Sequence, residues 1–243
     1  MMRTVGVDLS ASPAKTAVAT VDWLPDRAVL TGLVVAADDA AIRRLATGAT
    51  RVGIDSPFGW PDEFVDFVVA HHRNRLPVGR GLDDIARRRP LALRRTDLRI
   101  VDDGAGRPLS VSADQIAHVA FRCAGLLADL GVDDRVDGWA VEAYPAGALK
   151  RWGLISRGYK RRANVPVLAE LVLALQAAAP WLDLGDHAET MARDDDAFDA
   201  VITALIARAA QLGRTTRPDA ADRPVAAREG WIHVPTAELA ELI

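Results

Sequence analysis

Three short apolar runs in this chain each close on a carboxylate: Thr4-Val5-Gly6-Val7-Asp8, Arg51-Val52-Gly53-Ile54-Asp55 and Trp139-Ala140-Val141-Glu142. None alternates polar with apolar residues, so none leaves one face wet. Such runs fit strands covered on both sides, and a sheet of that kind needs helical layers above and below it. An acidic residue at the end of each strand then lies at the edge of the sheet. A fourth acidic group, Asp194-Asp195-Asp196-Ala197-Phe198-Asp199-Ala200, opens a late helix.

The intervening segments set the topology. Thr4–Leu9, Lys15–Trp23 and Ala28–Val35 read as an antiparallel three-strand meander, with Leu24-Pro25-Asp26-Arg27 as a turn. Asp38–Thr47 has a capping aspartate and helical spacing, and Arg51–Asp55 returns as a strand. A strand–helix–strand return favours a parallel neighbour in the same sheet. Pro61–His72 reads as a helix with proline in its first turn. Periodicity fails over residues 73–110, where arginines cluster among Gly and Pro, and this stretch is expected to be an inserted, partly helical arm. Ser112–Leu130 reads as an amphipathic helix closed by Gly131, and Gly138–Ala143 as a fifth strand. Ala146–Trp152, Val165–Ala179 and Asp195–Leu212 read as helices, Arg214–Arg228 as a polar loop, and Gly230–Pro235 as a short extended edge. The expectation is one mixed α/β domain over residues 1–243.

Composition bounds the function. A formal charge of −3 gives no global attraction to nucleic acid, so contact with it needs a local patch. No apolar stretch is long enough to span a bilayer, and no signal peptide opens the chain, so a cytoplasmic protein with no membrane partner is expected. The lone cysteine, Cys123, excludes a disulfide framework and a thiolate metal site. Arginine abundance reflects base composition more than phosphate binding, which makes Lys15, Lys150 and Lys160 the more informative cations.

Asp8, Asp55 and Glu142 lie near the C-terminal ends of expected strands, the side on which open α/β sheets bind ligands. Asp196 and Asp199, three apart, share a helix face. Asp199 is the strongest single candidate, because a carboxylate amid Phe198, Val201, Ile202 and Leu205 needs a partner or a metal. Several carboxylates on rigid elements suit Mg²⁺ or Mn²⁺, and two such ions about 4 Å apart stabilise both oxygens of a phosphodiester displacement. Lys160, beside Tyr159, could neutralise a phosphate or leaving oxygen, with a solvated helix face as the equal alternative. Arg94, Arg95 and Lys150 are candidate phosphate contacts, Arg94 and Arg95 as a clamp held by Asp97.

The order Gly6-Val7-Asp8, Gly53-Ile54-Asp55-Ser56-Pro57, Arg94-Arg95-Thr96-Asp97, Glu142-Ala143-Tyr144-Pro145, Tyr159-Lys160, Asp196-x-x-Asp199-Ala200 and Glu229-Gly230-Trp231-Ile232 resembles an uncharacterised family described as predicted RNase H-like nucleases. The wider superfamily, with its RuvC-type Holliday-junction resolvases, is similar in having Asp on the first strand, an acidic residue on the fourth and an Asp pair on the last helix. The resemblance implies an RNase H-like fold, with Asp8, Asp55, Asp196 and Asp199 as metal ligands and Glu142 as a family-specific addition. It implies a two-metal nuclease acting on DNA or RNA, and, by analogy with dimeric resolvases, a homodimer. Two other readings stay open. One is a nucleotide-handling protein of the related actin-like fold, in which Asp8-Leu9-Ser10-Ala11-Ser12 and Lys15 mimic a phosphate loop. The other is a non-catalytic binding module.

Overall fold

The computed structural model describes residues 2–243. Strand β1 (Met2–Asp8) pairs antiparallel with β2 (Ala17–Trp23), which pairs antiparallel with β3 (Ala28–Val35). On its other side β1 takes β4 (Arg51–Asp55) in parallel, with Asp8 directly opposite Asp55. β5 (Ala140–Ala143) continues the parallel half. Two-residue strands, β6 (Leu182–Asp183) and β7 (Ile232–His233), extend the edges. The sheet therefore runs β6-β3-β2-β1-β4-β5-β7, mixed as expected, and helices cover it to make an α/β fold.

Each face of the sheet has its own core. On one side lie α1 (Asp39–Ala46) and α5 (Ala117–Asp129), packing Ile42, Cys123 and Leu126 around Val5, Val7, Val52 and Ile54. The other side carries α6 (Pro145–Arg151), α7 (Val165–Ala178) and α9 (Asp195–Gln211), the last preceded by a single turn, α8 (Ala188–Met191). Every residue of α9 from Ala197 to Ala210 is buried, as befits a central helix that is apolar nearly all round. It can lie this close because β1 and β4 present glycines to it. A Cβ on Gly6 would run into the Ala200 carbonyl and the Ala204 amide, and one on Gly53 would stand 2.6 Å from the Thr203 carbonyl. That approach brings the first turns of α9 up to the ends of β1 and β4.

Helix α2 (Asp62–His72) starts where expected. The arm over residues 73–110 contains α3 (Ile85–Ala92) and α4 (Arg95–Asp102), in keeping with its partly helical reading. Three expectations need correction. The helix expected over Ser112–Leu130 begins only at Ala117, because Ser110 and Asp114 form a local turn in which the Ser110 amide donates to the Asp114 carboxylate at 2.7 Å. The segment expected as a polar loop, Arg214–Arg228, ends in α10 (Arg223–Glu229), with Pro224 in its first turn. And β2 starts at Ala17, since Pro13–Lys15 winds as a 3₁₀ turn.

Candidate metal centre

Asp8 ends β1, Asp55 ends the adjacent parallel β4, and Asp199 faces both from the second turn of α9. Each offers one carboxylate oxygen, and the three oxygens all lie within 4.8 Å of one another. The parallel register fixes the first two side by side. The glycine contacts beneath α9 fix the third. Asp194 caps that helix, its side chain accepting from the Ala197 amide at 3.1 Å, so the acidic run is divided between a structural cap and a site residue.

Asp199 is fully buried. Its Oδ1 accepts a hydrogen bond from the Tyr159 hydroxyl at 2.8 Å. Its Oδ2 sits 2.5 Å from Lys160 Nζ in a close ion pair, and no other group of the protein reaches that oxygen. Burial, reinforced by the charges of Asp199 and Asp55, pushes the Asp8 carboxyl well above the usual range. Burial raises Asp55 to about 7, against the pull of Lys160. Asp199 is raised by the same burial, partly offset by Lys160 and Tyr159. On Lys160 the order reverses: burial opposes its charge, but Asp199, Asp55 and Asp8 together outweigh it and raise its pKa. Three crowded carboxylates with only one ammonium among them are short of positive charge. A hard divalent cation with oxygen ligands is the group that fits them.

Asp8 and Asp55, with Lys160 beside them, line a cavity of about 540 Å³, shared by Ser10, Lys15, Leu109, Tyr144 and Asp196, whereas the buried Asp199 does not line it. The cavity's rim loop, residues 9–16, is pinned by Arg122 of α5, which donates to the Ser10 carbonyl and the Thr16 hydroxyl at 2.7 Å each. Asp196 lines the cavity but does not join the triple; it faces Lys15, 3.5 Å away.

Glu142 is buried in the cavity wall, where Arg94 grips it through two hydrogen bonds of 2.8 and 2.7 Å and the Phe58 amide donates to it at 2.9 Å. Arg94 also donates to Asp97 at 3.2 and 2.9 Å and to the Glu229 carbonyl at 3.1 Å. All five N–H donors of this guanidinium are thus engaged within the protein, leaving none for a phosphate. The Arg94 expected as a phosphate contact is instead a buried brace joining β5, α4 and the end of α10. Arg95 is exposed and lies 3.5 Å from Asp222, while Lys150 is exposed on α6 and does not line the cavity.

Two residues that brace this region carry weak sequence signals. Tyr159 reads only as part of a dipeptide, although a tyrosine buried beside a lysine needs a hydroxyl partner. Glu229 enters only as the first residue of the Glu229-Gly230-Trp231-Ile232 motif, yet its carboxylate accepts from the first amides of both α2 (Asp62, 2.8 Å) and α4 (Arg95, 2.6 Å). No spacing rule links residues so far apart.

Among the described residues no helix is long and apolar enough to cross a membrane. No curated protein and no solved structure matches the chain. A family model described as "Protein of unknown function (DUF429)" matches residues 6–223. The chain belongs to that family.

Proposed function

We propose that this protein is a Mg²⁺- or Mn²⁺-dependent nuclease that hydrolyses phosphodiester bonds at the Asp8–Asp55–Asp199 centre. The observation that carries this reading is the convergence of three carboxylates, from two parallel strand ends and one buried helix, with oxygens within 4.8 Å of one another and a single ammonium beside them. The strand order β3-β2-β1-β4-β5, with the acidic helix across it, supports the RNase H-like resemblance. A bound divalent ion would supply Lewis-acid activation of water and charge neutralisation at phosphate.

The chain's own residues do the rest. Asp8, Asp55 and Asp199 would hold the ion, Tyr159 orients Asp199, and Lys160 places a positive charge beside the reacting phosphate. In the reaction, water's oxygen bonds to phosphorus, the bond from phosphorus to the leaving oxygen breaks, and the proton water loses is matched by one the leaving oxygen gains. A DNA or RNA strand would reach the cavity beside the arm, which meets it at Pro108 and Leu109 and exposes Arg87, Arg88 and Arg89. The two-metal form would recruit Asp196 as a fourth ligand. The resolvase likeness extends the proposal to a homodimer, which sedimentation would reveal.

The test is cleavage of single strands, duplexes, RNA–DNA hybrids and junctions with Mg²⁺, Mn²⁺ or EDTA. Metal-dependent cleavage lost in Asp199→Asn supports the reading, and no cleavage of any substrate sinks it. The nucleotide-binding alternative retains one observation, that Lys15 of the loop after β1 lines the same cavity. Tight ATP binding without cleavage would favour it.

A further inference from the structure

We propose, resting on the metal-site reading above, that Lys160 takes the place of a second metal ion, so that the centre binds one divalent cation per chain. Three observations converge on it. First, charge: Lys160 Nζ lies 2.5 Å from Asp199 and lines the cavity with Asp8 and Asp55, and once metal binding ionises all three carboxylates, one ammonium leaves two negative charges, which a single divalent ion neutralises. Second, ligands: a second ion would need Asp196, and that carboxylate is turned to Lys15 at 3.5 Å.

Third, Lys160 is held in position by its surroundings. Its carbonyl accepts from Asn164 Nδ2 at 2.7 Å, and its Nζ lies 5.9 Å from the centre of the buried Tyr159 ring. The next residue, Arg161, sits at φ 81° and ψ 150°, a region that essentially only glycine adopts without strain. A non-glycine residue persists there only where the surroundings over-determine the backbone. The strained turn delivers Lys160 Nζ to Asp199 while the lysine side chain as a whole stays half exposed, at 52%. In this arrangement the lysine competes with a second cation for the same oxygens and offers its charge to the phosphate instead.

The experiment is a Mn²⁺ titration of the full chain followed by electron paramagnetic resonance, on wild type, Lys160→Met and Lys160→Arg, with thermal melts to verify folding. The expected result is one Mn²⁺ in the wild type. Lys160→Met should bind its first ion on the order of tenfold more tightly, because a neighbouring positive charge is gone. Lys160→Arg, which keeps the charge, should stay near wild-type affinity. Two ions in the wild type, or a Lys160→Met affinity equal to or weaker than wild type, would overturn the assignment. One tightly bound ion without cleavage of any nucleic acid would refute the nuclease reading and leave the lysine assignment standing. Absence of Mn²⁺ binding in all three proteins would overturn both.

Discussion

Replacing Asp55 with asparagine should make the metal-free protein more stable while removing its response to metal. Asp55 is raised from 3.8 to about 7 in the folded chain, chiefly by burial. A carboxyl whose folded pKa lies above its unfolded value favours the fold while protonated. That contribution is complete below about pH 4 and is lost as pH rises toward and through 7. A shift of about 3 units at about 1.4 kcal/mol each amounts to ~4 kcal/mol at pH 8, and solvent reaching Asp55 from the cavity lowers this to ~2 kcal/mol or more. Asparagine keeps the shape and can donate to Asp8 without the charge. In a chain of this size ~2 kcal/mol corresponds to about 4–8 °C in Tm. Thermal melts in EDTA at pH 8 should therefore show Asp55→Asn above wild type, with the gap narrowing by more than half at pH 5 and closing only below about pH 4. Added Mg²⁺ should raise the wild-type Tm and leave the variant's unchanged. A variant that melts below wild type in EDTA at pH 8 would refute the charge-crowding account of the centre.

Two other perturbations separate structure from chemistry. His233 is fully buried, with Nε2 donating to the Val136 carbonyl and Nδ1 accepting from the Thr215 hydroxyl, both at 2.7 Å, and burial lowers it to about 4. Its depressed pKa makes it favour the fold above pH 6.5 and lose that contribution as pH falls toward 4, about 3 kcal/mol in all. Urea unfolding of wild type against His233→Gln across this window should show the difference shrinking by that amount, whereas a difference independent of pH would contradict it. Glu142→Gln breaks one side of the buried Arg94 ion pair and should cost about 3 kcal/mol in urea unfolding. Because Glu142 stands outside the carboxylate triple, the variant's Mn²⁺ affinity should match wild type in the same titration. A large loss would return Glu142 to the metal centre.

What was legible in the sequence followed from local rules. Asp8 and Asp55 stood out because doubly covered strands have few ways to carry a carboxylate, and the parallel pairing of β1 with β4 set them side by side. Asp199 stood out because an acid inside an apolar helix needs a partner. Asp196 shared the helical spacing, but Lys15, from a loop whose path the sequence does not fix, draws it away. Glu142 had the right residue type and strand position, yet its partner Arg94 lies 48 residues earlier, in an arm without periodicity. Short edges escaped as well: two-residue strands such as β6 carry no pattern, and they form because the sheet beside them offers unpaired backbone groups.

The most direct test of the central claim is a crystal structure of the protein soaked in Mn²⁺, read from its anomalous scattering. The account predicts one peak bounded by the carboxylates of Asp8, Asp55 and Asp199, with Lys160 Nζ beside it. No peak at those carboxylates, with Mn²⁺ bound elsewhere or not at all, would contradict it.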